Sequence, residues 1–523
     1  MKSPTNHLPP GALLLVSLLL APAICTADAG AASPAEGNNA FARQLIGHVA
    51  SDLEGESFVF SPFSIVTAFG MAYAGAREET AAQIEDVFRF PGPVDTPPAI
   101  AAWTDTIESA AGETTTLRIA NRLWVQSGWP IKPDFLGILD EHYNAPAGLA
   151  DFIADPEAAR LEINDWVYDQ TNERIEDLLP EMSITHLTRL VLANALYFNA
   201  VWEQPFNRDV TREENFYVTP DETVRVPMMR SPLNVPYTAN DLAEAIAIPV
   251  KDGSFSFVVV LPKRGGSVDT VLEAVVANAF PIDPAMWEEE RRDVKLPRFR
   301  VEGDLTLRPL LERLGVVDAF SAADADFTGI ATPSESDPSK LHITSAYHKA
   351  FLEVTEDGIE AGAATALGIG FTSMPDPFHV DRPFLIFLTE DSTETILFAG
   401  RINRPEAPPA GIPSAWKETL ESILGAPVER DGDWYASPIG HLRPAHERWF
   451  IHRDFGWTFL TGQDGTVWLW SPGLGWVWTH AGELFPYAWS ADRNSWIYIR
   501  SATASGDASE FYNYRTESWE PLP

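Results

Sequence analysis

The chain has very little sulfur. Cysteine occurs once in 523 residues, at Cys25, and methionine seven times. A disulfide scaffold, a cysteine-ligated zinc site and a C-x-x-C redox pair are therefore excluded. Basic residues are scarce as well: 37 Lys and Arg stand against 74 Asp and Glu, a formal net charge of -37. A field of that sign repels phosphate backbones and sulfated polymers, which argues against nucleic acid and heparin-type polyanions as partners. The acid excess reads as a solubility device rather than an acidic site. No G-x-S-x-G, H-E-x-x-H or P-loop occurs, so the sequence offers no ordinary catalytic residue and no motif for a metal or cofactor. Asp324 and Asp326 in DADADF lack the glycine and closing glutamate of a calcium loop and read as solvated acidic loop.

A long apolar run occurs at the N-terminus. Lys2, the stretch Leu13 to Ala21 and the small-residue exit APAICTADAG have the form of a secretory signal, too short to span a bilayer. Cleavage is expected after Ala29, with Ala23 as the alternative, so residues 1–29 read as signal peptide and the mature chain as a secreted, cysteine-free protein, extracellular or periplasmic. Cys25 also invites a lipoprotein reading, but Ile24 stands where a small residue normally precedes a lipidated cysteine.

What the chain does have is enough apolar content, 45%, for one large domain and something smaller. Amphipathic stretches such as PEAARLEINDWVYDQTNERIEDLLP, with Ala159, Leu161, Ile163, Trp166, Val167 and Tyr168 approximating one helical face, are interspersed with runs such as EAIAIPVKDGSFSFVVVLP. Without strict βαβ alternation, that mixture predicts an α+β domain.

One segment stands apart. From Ile359 every second residue is apolar or small (Ile359, Ala361, Ala363, Thr365, Leu367, Ile369), and the residues between are Glu360, Gly362, Ala364, Ala366, Gly368 and Gly370. This is the period-2 pattern of a strand, written in slim side chains. Its glycines make it a poor strand on local propensity. A segment that is loop by propensity and strand by pattern is a candidate two-state element.

The flanks, HKAFLEVTEDGIEAGAAT (348 to 365) and VDRPFLIFLTEDSTETILFAGRINRP (380 to 405), resemble the reactive-loop hinge and C-terminal strands of the serpins. FVFSPFSIVTAFGMAYAGAREETAAQI (58 to 84), ADFIADPEAARLEINDWVYDQTNERIEDLLPE (150 to 181), LVLANALYFNAVWEQPFN (190 to 207) and VKLPRFRVEGDLTLRPLLERLGV (294 to 316) are similar to further serpin signatures in the right order. The resemblance spans residues 38–405 and implies three sheets, about nine helices and an exposed reactive loop. It also implies a function: a monomeric suicide substrate of a serine protease, whose loop is cleaved and then inserted into the main sheet with the protease attached as an acyl enzyme, a known case of strand addition. The alternative within the same family is a non-inhibitory binding or surface protein.

The resemblance assigns residues. Glu356, Gly358, Ile359, Glu360, Ala361, Gly362, Ala363, Ala364 and Thr365 fall in the loop hinge. Inhibitory relatives usually carry Thr or Ser where this chain has Ile359, a stiffer side chain expected to slow the first step of insertion. Counting fourteen residues from Gly358 and eleven back from Pro383 places the scissile bond at Thr372-Ser373. Thr372 suits an elastase-like or subtilisin-like protease, whereas Phe371 or Met374 would be read by a chymotrypsin-like one in a shifted register. Ser61, Ser64, Asn194 and His348 fall at a buried polar cluster beneath the opening sheet, and Trp202 at its top.

After Pro405 the composition changes to a Pro- and Gly-containing linker, 406–433, with a short helix expected over Trp416 to Leu424. Residues 434–523 then carry four similar aromatic stretches closing on Trp457, Trp476, Trp496 and Trp519, read as hairpin repeats that assemble into one small all-β domain. Its rings form either the domain core or stacking sites for a carbohydrate or other cell-surface ligand.

Overall fold

The computed structural model describes residues 32–332, 340–359, 375–406, 420–500 and 510–521, apart from loop stretches of one or two residues among them. The described residues form two bodies: the first holds a main hydrophobic core within residues 35–402 and a smaller one within residues 120–195, and the second holds a core within residues 420–511.

The first body is α+β, with eight α-helices among the described residues. Its central helix, Pro62–Gly75, is buried along its whole length, as expected of a sequence that is apolar all round. Ser61 caps it by accepting from the Ser64 N–H, and Pro62 stands at its first turn, where no N–H is missed. The helix Pro156–Gln170 is held differently. Ala159, Ile163 and Val167, spaced by four, are its buried apolar face, while Leu161 is 45% exposed. The expected inclusion of Leu161 in that face fails because a residue two positions from Ala159 lies on another side of a 3.6-residue turn.

The sheet that matters most runs in the order Phe299–Thr306, Ile343–Val354, Gly358–Ile359, Leu190–Val201, Thr115–Gln126, Gly148–Ala150. Both of its faces are covered. Leu196, Phe198 and Ala200 point into the main core above helix Pro62–Gly75. Val191, Ala193 and Ala195 pack instead with Ala159, Ile163 and Val167 of the helix Pro156–Gln170. A strand buried on both faces reads as a continuous apolar run, and LVLANALYFNAV is one. The remaining strands of the body form a nine-stranded hydrogen-bonded array. The 17-residue strand Thr223–Ala239 joins its two halves, pairing with Arg212–Tyr217 and Glu288–Pro297 and, through Tyr237 to Ala239, with Ala243–Pro249.

The second body is a single antiparallel sheet of eleven strands, each paired to the next in sequence from Glu429–Asp431 to Ser518–Pro521. The four closing tryptophans each occupy the second position of a strand: Gly456–Gln463, Gly475–His480, Ser495–Arg500 and Ser518–Pro521. The repeat is thus a two-strand unit whose hydrogen bonding continues into the next. The second core also begins earlier than residue 434: Leu420, Ile423 and Leu424, on a helical turn over 420–424, are buried in it with Val428. The last part of the expected linker is therefore core.

Two outcomes follow from these boundaries. A fragment 32–406 should fold alone and keep Glu406, whose carbonyl accepts from the Arg300 N–H at 2.8 Å. A fragment 415–523 should be more stable than one starting at 431. The shorter piece lacks four buried aliphatic side chains at about 1.5–3 kcal/mol each, so urea denaturation should place its midpoint clearly lower.

Candidate functional site

The strands Leu190–Val201 and Ile343–Val354 are parallel neighbours only in part. They pair from Ile343 opposite Leu190 to Ala350 opposite Leu196. Beyond that point they part, and Gly358–Ile359 lies between them: Gly358 faces Val201, Ile359 faces Ala200, and on the other side Ile359 faces Val354. Two residues of the chain have therefore already formed the first rung of an additional strand, antiparallel to both neighbours. Ile359 is fully buried in the main core.

The approach to that rung is pinned. Thr355 donates from its N–H to the Gly358 carbonyl at 2.9 Å, closing a tight turn. Glu356 and Asp357 are buried, 3% and 1% exposed, and each meets a cation: Arg208 pairs with Asp357 and Arg298 lies 3.8 Å from Glu356. The Thr211 hydroxyl donates to Glu356 at 2.8 Å. Trp202 binds the turn twice, its backbone N–H donating to the Asp357 carbonyl and its indole Nε1–H to the Thr355 carbonyl, both at 2.9 Å. Buried carboxylates without such partners would be costly. The acidic pair is thus an anchor that fixes where the chain enters the sheet.

Below the parting lies a second cluster. His348 and Asn194 are opposite one another on the two parallel strands and fully buried. The Ser61 N–H donates to His348 Nε2 at 2.9 Å. Nε2 is therefore unprotonated, so Nδ1 carries the hydrogen and donates to Asn194 Oδ1. Asn194 Nδ2 in turn donates to the Ser64 carbonyl at 2.6 Å and to the Asn121 Oδ1 at 2.6 Å. Asn121 continues the network to Thr67 Oγ1 at 2.6 Å. Burial alone pushes the His348 imidazole down to about 3, so it is neutral across the physiological range.

The structure therefore brings Ser61, Ser64, Asn194 and His348 together and places Trp202, Glu356, Gly358 and Ile359 at the parting above them. Glu360, Ala361, Gly362, Ala363, Ala364 and Thr365, and the Thr372-Ser373 bond, lie outside the described residues. The sequence reading missed Asn121 and Thr67 from the cluster and Arg208, Thr211 and Arg298 from the anchor. None of them carries a local signal, since each is selected by a partner more than 50 residues away.

Comparison with known proteins agrees with this geometry. Residues 36–405 match the family model described as Serpin (serine protease inhibitor). An uncharacterised serpin-like protein of Thermococcus kodakarensis is 38% identical over 358 residues, covering 66% of this chain and 80% of that protein. Leukocyte elastase inhibitor A of Mus musculus is 34% identical, covering 70% and 98%. Among solved structures, Serpin48 of the insect Tenebrio molitor superposes with a TM-score of 0.65 at 30% identity, covering 72% of this chain and 98% of its own.

The buried imidazole gives a pH dependence with a definite sign. His348 titrates at about 3 when folded and at about 6.5 when unfolded, so in between the unfolded state binds the extra proton. Its contribution to stability is complete above about pH 6.5 and is lost as pH falls toward 3. The urea midpoint should drop more between pH 7.5 and pH 4.5 for the wild type than for His348→Gln, and equal drops would assign the effect to other groups. His348→Ala, which leaves the Ser61 N–H and Asn194 Oδ1 without the partner that His348 gives them, beside a cavity, should cost about 3–5 kcal/mol at neutral pH.

Proposed function

The chain belongs to the serpin family, and we propose that it is a secreted, monomeric suicide-substrate inhibitor of a serine protease. The observation that carries this reading is the Gly358–Ile359 rung, because it fixes the register of everything that would follow. Opposite Leu190–Val201, residue numbers sum to 559, and opposite Ile343–Val354 to 713. Continued insertion would set Ala361 against Phe198 and Leu352, Ala363 against Leu196 and Ala350, and Thr365 against Asn194 and His348. These positions share the face of Ile359 and enter the main core. Gly362, Ala364 and Ala366 would fall on the other face against Tyr197, Ala195 and Ala193, the last two lying under the helix Pro156–Gln170. Both alternating sets are small because both faces are already covered.

The register also defines what must break. Thr365 reaches the sheet where His348 and Asn194 are directly hydrogen bonded, so insertion separates that pair and offers a hydroxyl in its place. The covalent step supplies the trigger. The protease serine Oγ attacks the Thr372 carbonyl carbon, the bond to Ser373 breaks, the Ser373 amine leaves with a proton, and Thr372 remains as an ester on the protease. Freed at Thr372, about 13 residues beyond Ile359 extend at ~3.3 Å each, carrying the protease some 40 Å. About a dozen new backbone hydrogen bonds at ~1 kcal/mol net contribute on the order of 10 kcal/mol before side-chain burial. No charge or proline occupies Ala361, Ala363, Thr365, Leu367 or Ile369, which is what insertion requires and a purely binding serpin does not.

Thr372 fits a protease with a small or medium apolar primary pocket, elastase-like or subtilisin-like, and similarity to a leukocyte elastase inhibitor points the same way. The signal-like residues 1–29 support export. Incubation with elastase and subtilisin should give a complex stable to boiling in detergent, with Ser373 as the new N-terminus of the released peptide. Cleavage without a complex would leave a substrate rather than an inhibitor. The cleaved wild type should melt roughly 20 °C or more above the intact protein. Ala363→Arg should leave the intact melting point unchanged, abolish the gain on cleavage and convert the protein to a substrate, because insertion would bury an unpaired guanidinium.

A further inference from the structure

We propose that the outer face of the C-terminal sheet is a binding platform for a neutral, extended, β-linked polysaccharide, a function that stands whether or not the loop traps a protease. The strands from Thr466 to Pro521 segregate two kinds of apolar residue. Val467, Leu469, Val477, Ile497 and Ile499 point inward and are buried in the second core. The alternate positions are mostly tryptophan and tyrosine, with Thr466, His480, Arg500 and Glu510 among them, and no Leu, Ile, Val or Met occupies an outward position of these strands. Trp468, Trp476, Tyr487, Trp496, Tyr514 and Trp519 are each 38–48% exposed.

Stability accounts for only part of this arrangement. Neighbouring rings do touch, with centroids 5.0 Å apart for Tyr487 and Tyr498 and 6.2 Å apart for Trp478 and Trp496, and such cross-strand pairs strengthen a sheet. Yet a core is already supplied on the inner face, and a contiguous aromatic patch left in water marks an interaction surface. Its chemistry narrows the occupant. A lipid contact would recruit aliphatic side chains, and a protein interface adds Met and Arg to its aromatics; among the described strand positions of this face there is no Leu, Ile, Val or Met, and Arg500 is paired with Glu510. Trp and Tyr combine a flat apolar face with an N–H or O–H at the rim, the complement of a pyranose with its C–H face and equatorial hydroxyls.

Charge and spacing narrow it further. Arg500 and Glu510 on this face pair with one another, and the whole chain carries -37. An anionic polymer or a second copy of the chain is therefore repelled, whereas a neutral polymer is not. The rings form ladders across strands: Trp468 faces Trp478, Trp478 faces Trp489, and Trp489 faces Trp496. Adjacent strands lie ~4.8 Å apart, comparable to the length of one sugar in an extended β-linked chain, so successive sugars can meet successive rungs.

The test uses the full chain with amorphous cellulose and chitin as immobilised probes and dextran sulfate as the anionic control. Retention on cellulose or chitin is expected, with Trp476→Ala and Trp496→Ala each lowering it at least tenfold and no retention on dextran sulfate. Cellohexaose or chitohexaose should shield wild-type tryptophan fluorescence from acrylamide, a readout that needs no variant to fold. Absence of both retention and shielding, tryptophan variants that fold and bind as the wild type does, or equal binding to dextran sulfate would overturn the proposal.

Discussion

The first body of this protein depends on one buried hydrogen bond between two parallel strands. His348 and Asn194 face one another below the point where Leu190–Val201 and Ile343–Val354 part, and their bond ties the two strands together where their backbone pairing ends. The network around it is satisfied group by group, from the Ser61 N–H through His348 and Asn194 to Asn121 and Thr67. A polar network inside a core is stable only while each member keeps its partners. That makes the site an all-or-none latch rather than a surface that loosens gradually.

Above the latch the same sheet is already open by one rung. The anchor of Glu356, Asp357, Trp202 and Arg208 aims the chain into the gap, and Ile359 fills its top. On the proposed mechanism the intact protein holds two arrangements of the same strands in competition. Closure is kept by the parallel pairing from Ile343 to Ala350 together with the His348–Asn194 pair, and insertion would add a strand's worth of backbone hydrogen bonds. On that proposal, cutting the loop would not create the favourable state but would only remove the tether that prevents the chain from reaching it. The Ile359 side chain biases this balance. A hydroxyl there would be held less firmly in the core, so the apolar side chain stabilises the first rung.

Much of this was legible in the chain itself. Period-2 alternation in residues too small for an ordinary core marked the candidate two-state segment, and the ordered motifs from Phe58 to Pro405 carried the fold. The polar cluster was legible through Ser61, Ser64, Asn194 and His348, whose neighbours in sequence identify them. Asn121 and Arg208 were not, since nothing in NRLW or FNRDV distinguishes a cluster member or an anchor from a solvated residue until the strands are registered. Leu161 and the linker were misjudged for related reasons. A helical face was drawn too wide, and Leu420, Ile423 and Leu424 sit beside Pro- and Gly-rich text although tertiary packing makes them core. The aromatic repeat was visible as spacing, but that aliphatics and rings divide between two faces of one sheet required the register.

Insertion requires one definite register. A crystal structure of the loop-cleaved protein tests it directly: Thr365 should lie between Asn194 and His348, with Ala363 between Leu196 and Ala350 and the His348–Asn194 hydrogen bond gone. If His348 and Asn194 remain neighbours in the cleaved form, the sheet has not opened and insertion is not how this protein works.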